Sequence, residues 1–417
     1  MVATLDLRDA PAHEPLLTRD SMSNQSPWIL PAGIDEILPA QARRIEHLRS
    51  RILETFDRWG YQLVVPPMVE FIDTLLVGTG EDLDLDTLKV TDGLSGRQLG
   101  VRVDMTPQVA RMDAHSLPPV DERRLCYIGT VIRAKTDGLG SSRAPIQVGA
   151  ELFGSAGPEA DVEMISLMTE ALAVGGCRQM TLDLGHVGVF RALVRAAGLD
   201  EAREDQLRDA LTRKAVPEIH EALDSWSLDG AISHAITALC DLHGPWRPTI
   251  EEAKERLQGV LDADGQAALE RLAVVAGAIQ ARVASEVLVD LSELHGYHYQ
   301  TGLVYAAYSP RMGREIARGG RYDDIGQIFG RSRPALGFSL DLRDLLGQGG
   351  DEGRSRPTVY APARLNDDAL DRAIADLREQ DYRVITTKSV PAGARQLVPV
   401  GEGQTRTWQL TGELDHG

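Results

Sequence analysis

The sequence predicts an α+β fold: an antiparallel-rich sheet core interrupted by helices and followed by a small α/β unit. Three observations carry this expectation. Strand-like runs end near residue 184, helical spacing runs almost unbroken from 187 to about 284, and strand signals return at 286–291. Residues 122–154 form a hairpin pattern, with two apolar runs around a loop of Gly, Ser, Lys and Arg. Residues 347–356 (GQGGDEGRSR) read as a polar, flexible linker. The expected division is a disordered extension at 1–30, a core at 31–346 with its helical insertion at about 187–284, the linker at 347–356, and a shortened α/β domain at 357–417.

Residues 38–59 place Ile45, Leu48, Ile52, Leu53, Phe56 and Trp59 at helical spacing, with Gly60 positioned as a C-terminal cap. Residues 61–65 read as a buried strand stopped by Pro66 and Pro67, which donate no ladder hydrogen bond. Strands at 87–91 and 98–103 lead into a helix at about 106–114. The hairpin has strands at 125–133 and 146–153, with Arg133 on the first strand and Arg143 at the loop exit. Both arginines suit a nucleotide triphosphate; as the charges of a solvated hairpin they need no ligand. A helix at 158–174 and a strand at 177–184 precede the insertion, which is punctuated by Pro217, Gly230, Gly244, Pro245 and Gly265. Strands follow at 286–291, 302–308, 314–318 and 335–340. Beyond the linker, a strand at 358–361, a helix at 367–379 and strands at 383–387 and 395–400 make a unit near the size at which one core is marginal alone.

The net charge of −18 argues against a non-specific nucleic-acid binder, although 44 Lys and Arg leave room for a local basic groove. Cys126, Cys177 and Cys240 form no Cys-x-x-Cys, which points to buried free thiols rather than zinc or disulfides. No run of about 18 apolar residues suggests a membrane span, and residues 1–21 lack the pattern of a signal peptide. Met22 resembles a more natural start. A cytoplasmic protein is expected. His295 and His298 sit in a strand or turn context that disfavours a metal pair, and Asp323–Asp324 reads as a polar turn. No dinucleotide fingerprint, Walker lysine or nucleophile elbow is present, so no metal or cofactor is expected.

In this order the pieces resemble the core of class II aminoacyl-tRNA synthetases, most closely histidyl-tRNA synthetase. The helix–strand–proline unit ending at Pro67 is similar to the family's first, dimer-forming motif, and the hairpin to its second. GFSLDLRD at 337–344 is similar to the third, while LHGYHYQTGLVYAAY at 294–308 and RGGRYDDI at 318–325 match the histidine-specific signatures. The match covers about 31–346. It implies an amino-acid grip by Asp104, Thr106 and Gln147 on the ammonium and by Glu151 on the imidazole. Gln147 and Glu151 are an even number of residues apart and share a strand face. Tyr297 and Tyr299 neighbour Gln300, which replaces a ring-contacting Tyr of the family.

The phosphate side departs from the pattern. Lys135 stands for a Glu, Pro145 for the adenine-stacking Phe, Asp344 for an Arg, and His295 for a catalytic Arg. At ~4 Å and an effective dielectric of ~20 one such charge is worth at most ~4 kcal/mol, so exchanging Arg for Asp weakens phosphate binding severely. Arg343 serves only if the register slips by one residue. Arg133 and His295 are therefore expected as pocket-wall residues, with no catalytic residue. The short tail and its scattered basic residues argue against tRNA as a partner.

A retained amino-acid grip, a disarmed ATP side and a short tail together resemble the regulatory subunits of ATP phosphoribosyltransferase, paralogues of histidyl-tRNA synthetase. The resemblance implies a non-catalytic, dimeric protein that partners a short-form catalytic subunit in the first step of histidine biosynthesis, with histidine as feedback effector. A divergent histidyl-tRNA synthetase, or a synthetase-like sensor with another partner, remains an alternative on the residues alone.

Overall fold

A computed structural model describes residues 29–77, 81–135, 142–283, 285–349, 356–401 and 407–411. Helix α1 (Pro39–Arg58) starts with a proline in its first turn and buries the stripe Ile45, Leu48, Ile52 and Phe56. It feeds β1 (Gln62–Leu63) through Gly60, whose φ of 81° is the left-handed conformation expected after a helix end. A small antiparallel sheet combines β2 (Val69–Phe71), β3 (Lys89–Thr91) and β4 (Gln98–Val101), with α2 (Ile72–Leu75) and α3 (Glu81–Asp86) between β2 and β3. Helix α4 (Thr106–Arg111) continues into a π-helical turn, Met112–Ser116.

The hairpin of β5 (Arg123–Thr130) and β6 (Ile146–Phe153) is followed by α5 (Pro158–Val174) and β7 (Thr181–His186). Helices α6 (Val187–Ala197), α7 (Glu201–Thr212), α8 (Val216–Trp226), α9 (Gly230–Ala238), α10 (Trp246–Arg256) and α11 (Ala263–Gln280) make the insertion. It also carries β8 (His243–Pro245). Then come β9 (Glu286–Asp290), β10 (Leu303–Ser309), β11 (Arg314–Arg321), α12 (Ile325–Ile328), β12 (Ala335–Asp341) and α13 (Leu342–Leu345). These strands form one nine-stranded sheet in the order β1-β5-β6-β12-β11-β10-β7-β9-β8. Only β1–β5 and β7–β9 pair in parallel. A separate four-stranded sheet, β14 (Arg383–Thr387), β13 (Thr358–Pro362), β15 (Gln396–Val400) and β16 (Thr407–Thr411), has its own core with α14 (Asp368–Glu379).

Register decides which face of the large sheet is core. Cys126, Ala150, Phe338, Gly319, Tyr305 and Leu184 are successive cross-strand partners, and all but the glycine belong to the main buried cluster beside α5 and α11 residues. Their strand neighbours Tyr127, Gly149, Ser339, Arg318, Ala306 and Asp183 form the adjacent row on the opposite face. At the sheet's rim Asp161 lies fully buried between Arg321, with bonds of 2.9 and 3.1 Å, and Arg271, at 2.7 Å. This triad ties β11 to α5 and to the last insertion helix.

Several expectations need correction. The first hairpin strand ends at Thr130: Val131 N and Arg133 N still donate across the hairpin, to Pro145 O at 3.1 Å and Arg143 O at 2.9 Å, while Ile132 N donates to Arg102 O at 3.0 Å and Ala134 N to Asp86 O at 2.7 Å. Arg133 lies just past the strand, in this irregular continuation of the hairpin. Residues 346–348, expected partly as linker, form a 3-10 turn with Gln348 buried and accepting from Ser309 Oγ at 2.8 Å. The strands β2, β8 and β16 were not anticipated. The expected extension at 1–30 lies outside the described residues up to residue 28, as do 350–355 of the linker and 136–141 of the hairpin loop. Among the described residues no helix is long and apolar enough to cross a membrane. All three cysteines are free and buried.

Candidate functional site

The open face of β6, β12 and β11 has a floor almost without side chains. Gly337 pairs with Glu151 on one side and Gly320 on the other, and Gly149 pairs with Tyr127. A Cβ on Gly337 would sit 1.6 Å from Glu151 Oε2, and one on Gly149 would sit 2.3 Å from the Tyr127 hydroxyl. The glycines thus let a carboxylate and a phenol lie flat on the sheet.

Glu151 is buried, and both of its oxygens are engaged. The Tyr127 hydroxyl donates to Oε1 at 2.9 Å and the Tyr322 hydroxyl donates to Oε2. Burial pushes its carboxyl up to about 8, against the opposing pull of these two hydroxyl donors. Tyr299 stacks on Tyr322 with ring centroids 5.4 Å apart. The Tyr127 and Tyr322 phenols are held well above the usual range, first by burial and then by the Glu151 charge.

A second group joins this one through Thr106. Its hydroxyl lies 3.0 Å from that of Tyr127, and its backbone N–H donates to Asp104 Oδ1 at 2.9 Å. The same Asp104 oxygen accepts from Gln147 Nε2 at 2.7 Å, and Gln147 Oε1 accepts from Met105 N at 2.9 Å. One hydrogen-bonded chain therefore connects Gln147, Asp104, Thr106, Tyr127, Glu151 and Tyr322. Its geometry is set by the segment between β4 and α4. There Arg102 donates to Pro66 O at 2.7 Å and to Thr130 O at 2.9 Å, in space left by the missing side chain of Gly129.

Cationic side chains beyond β12 are matched by carboxylates of the chain itself. Asp344 accepts from Arg314 at 2.6 Å, and Arg343 pairs with Asp35 and donates to Ser142 Oγ at 2.9 Å. Arg318 pairs with Glu315, and His295 with Glu293 at 2.8 Å. Glu293 raises the His295 imidazole above its ordinary range.

The sequence-derived site is thus brought together in part. Asp104, Thr106, Gln147 and Glu151 converge, and Tyr299 joins them through Tyr322. Tyr297 does not. Its ring turns into the insertion, edge-on to Phe190 at 5.3 Å and under Arg191 at 4.9 Å, and its hydroxyl donates to Glu204. His295 is exposed beside Glu293, and Arg133 lies in the connection after β5, its carbonyl accepting from Arg143 Nε at 2.8 Å. Tyr127 and Tyr322, which hold Glu151, leave only a faint signal in the sequence: each is a single hydroxyl, one in an apolar strand and the other just after a glycine-rich one.

The sheet order and the hairpin are those of a histidyl-tRNA synthetase-like protein. A family model described as histidyl-tRNA synthetase matches residues 33–345. The ATP phosphoribosyltransferase regulatory subunit of Thioalkalivibrio sulfidiphilus is 49% identical over 367 residues, covering 87% of this chain and 92% of that one. The protein so named in Methylococcus capsulatus is 49% identical over 363 residues, covering 86% and 88%. A crystal structure of an ATP phosphoribosyltransferase regulatory subunit/histidyl-tRNA synthetase from Bacillus halodurans superposes with a TM-score of 0.77 at 29% identity, over 88% of this chain and 94% of that one. The chain belongs to the ATP phosphoribosyltransferase regulatory subunit family.

Proposed function

We propose that this chain is the non-catalytic subunit that activates ATP phosphoribosyltransferase in histidine biosynthesis and that it takes histidine in the pocket around Glu151. The observation that carries the reading is an asymmetry of pairing. The amino-acid side is hydrogen-bonded into a single network around buried Glu151, while the cations Arg314, Arg318 and Arg343 each carry a carboxylate of the chain. Phosphoryl chemistry needs free positive charge aimed at the developing phosphate charge. Those arginines are already engaged, so the site suits binding without activation.

In this reading the partner is a short-form catalytic subunit. Feedback arises because histidine favours one state of the joint assembly, and a ligand shifts states only through its differential affinity. Self-association uses β1 and the segment after it, where Leu63, Val65, Met68 and Val69 expose apolar side chains. A cytoplasmic location fits three unpaired buried cysteines. The division into a core at 31–346 and a tail unit at 357–417 is proposed on their separate hydrophobic clusters.

The pocket is tested in the assembled complex. Glu151→Ala and Gln147→Ala are each expected to raise the histidine concentration for half-inhibition at least tenfold while activation by the subunit persists. Unchanged inhibition in both variants excludes the pocket.

A further inference from the structure

The small sheet of β2, β4 and β3 turns its apolar face outward. Its register sets Val69 opposite Val101, Phe71 opposite Leu99, and Leu99 opposite Val90, so these five side chains share one face. The other face carries Glu70, Gly100, Gln98, Lys89 and Thr91. It is this polar face that is covered. A Cβ on Gly100 would sit 2.7 Å from the Leu75 side chain, 2.8 Å from that of Ile72 and 3.0 Å from that of Thr87. Among the described residues α2, which holds Leu75 and Ile72, is the only element outside the sheet that packs broadly on its strands. The apolar face has no such cover. Val69 and Val90 are 43% and 54% exposed, Phe71, Leu99 and Val101 are half-buried, and none of the five belongs to the three hydrophobic clusters of the fold.

A contiguous apolar face with a polar rim is the anatomy of a contact surface. The rim is present. The Arg97 guanidinium lies over the Phe71 ring at 3.7 Å and pairs with Asp73 at 3.4 Å. At the end of the sheet Asp92 fixes the β3–β4 turn by accepting from Leu94 N and Ser95 N, each at 3.1 Å, and Leu94 is left 99% exposed. Charge then selects what can dock. Residues 69–101 carry seven carboxylates and two cations, and both cations are already paired, Arg97 with Asp73 and Lys89 with Asp84. Even with Glu70 held by Arg111, the segment keeps a negative surplus, in a chain whose net charge is −18. A second copy docking face to face would set that surplus against itself. A surface with an apolar centre and a rim of Lys or Arg complements it.

We propose that this outward face, centred on Phe71, Leu99 and Val90, docks the catalytic subunit of ATP phosphoribosyltransferase, which meets it with an apolar surface rimmed by lysine or arginine. This rests on reading the chain as the activating subunit. Val69 marks the border with the strip assigned to self-association, so the two contacts lie side by side. The face also adjoins the pocket. Strand β4 ends at Val101 and runs on through Arg102 into Asp104 and Thr106, so the docking face and the hydrogen-bonded chain to Glu151 share one length of backbone.

The test titrates the catalytic subunit with the full chain, native or carrying Val90→Glu or Asp73→Lys, and follows both stimulated activity and the mass of the complex. The mass and thermal midpoint of each chain alone are measured beside it. Val90 is 54% exposed and the Asp73 side chain 81%, so both variants are expected to keep the native midpoint and the native mass. Val90→Glu is expected to raise the concentration for half-maximal stimulation roughly tenfold or more, because it brings a charge into the apolar contact. Asp73→Lys reverses one rim charge and is expected to raise that concentration about threefold and to flatten its dependence on salt. Native stimulation by Val90→Glu at native concentrations overturns the proposal. So does a lower mass of the Val90→Glu chain alone, which makes a second copy the occupant, or a lower thermal midpoint, which means that the chain itself covers the face. If the native chain neither binds nor stimulates the catalytic subunit, the activating-subunit reading itself fails.

Discussion

Replacing Glu151 by Gln tests the electrostatics of the pocket without a ligand. In the unfolded chain this carboxyl releases its proton near 4.5, whereas in the fold burial holds the proton to about 8. The sign follows from linkage. The stabilising effect is full below pH 4.5, where both states are protonated, and it declines as the pH rises towards 8, because only the unfolded state ionises. At about 1.4 kcal/mol for each tenfold in proton affinity, the gap between 4.5 and about 8 sets an upper limit of roughly 5 kcal/mol. Gln is neutral at every pH and carries no such decline. Asp183 and Asp341, pushed up to about 7 and about 6 by burial, act with the same sign, but in both proteins, and cancel in the comparison. Urea denaturation of native chain and Glu151→Gln at pH 5, 6.5 and 8 is therefore expected to show the variant gaining relative stability with pH, by at least ~2 kcal/mol over that range. Parallel profiles would mean that Glu151 is ionised in the fold, and the reasoning would fail.

Further outcomes follow from the same structure. Asp161→Asn leaves Arg271 and Arg321 without their shared buried carboxylate and is expected to cost about 3–5 kcal/mol, read as a lowered urea midpoint; a change below ~1 kcal/mol contradicts the triad's role. Leu63→Lys combined with Val65→Asp places charge on the exposed apolar strip and is expected to halve the mass measured by light scattering; an unchanged mass moves the dimer contact elsewhere. Titration with ATP is expected to give no saturable heat at submillimolar concentration, since Arg314, Arg318 and Arg343 already carry carboxylates. Saturable micromolar binding would overturn that account.

Much of this architecture was legible because periodicity reports burial. The 20 residues of α1 and the eight-residue strand β6 follow from apolar spacing, and the even separation of Gln147 and Glu151 put both on one face. What escaped the sequence has physical reasons. Between β9 and β10 the chain is irregular, so no period tells Tyr297, which turns to Glu204, from Tyr299, which turns to Tyr322. The strand β8 contains Gly244 and Pro245, which read as breakers but are tolerated at a sheet edge. In β16 the signal was present: Trp408 and Leu410 alternate with the exposed Thr407, Gln409 and Thr411. The hydroxyls of Tyr127 and Tyr322 reach Glu151 through pairings made far apart in the chain, and local spacing carries no trace of them.

A synthetase's fold serves here as a regulatory subunit. The most direct measurement mixes the purified chain with a short-form ATP phosphoribosyltransferase catalytic subunit and follows ATP- and phosphoribosyl pyrophosphate-dependent product formation, with and without histidine. The predicted result is strong stimulation that histidine suppresses, while the chain alone shows no histidine-dependent exchange of pyrophosphate into ATP. Absence of stimulation with the cognate catalytic subunit, or pyrophosphate exchange by the chain alone, would contradict it.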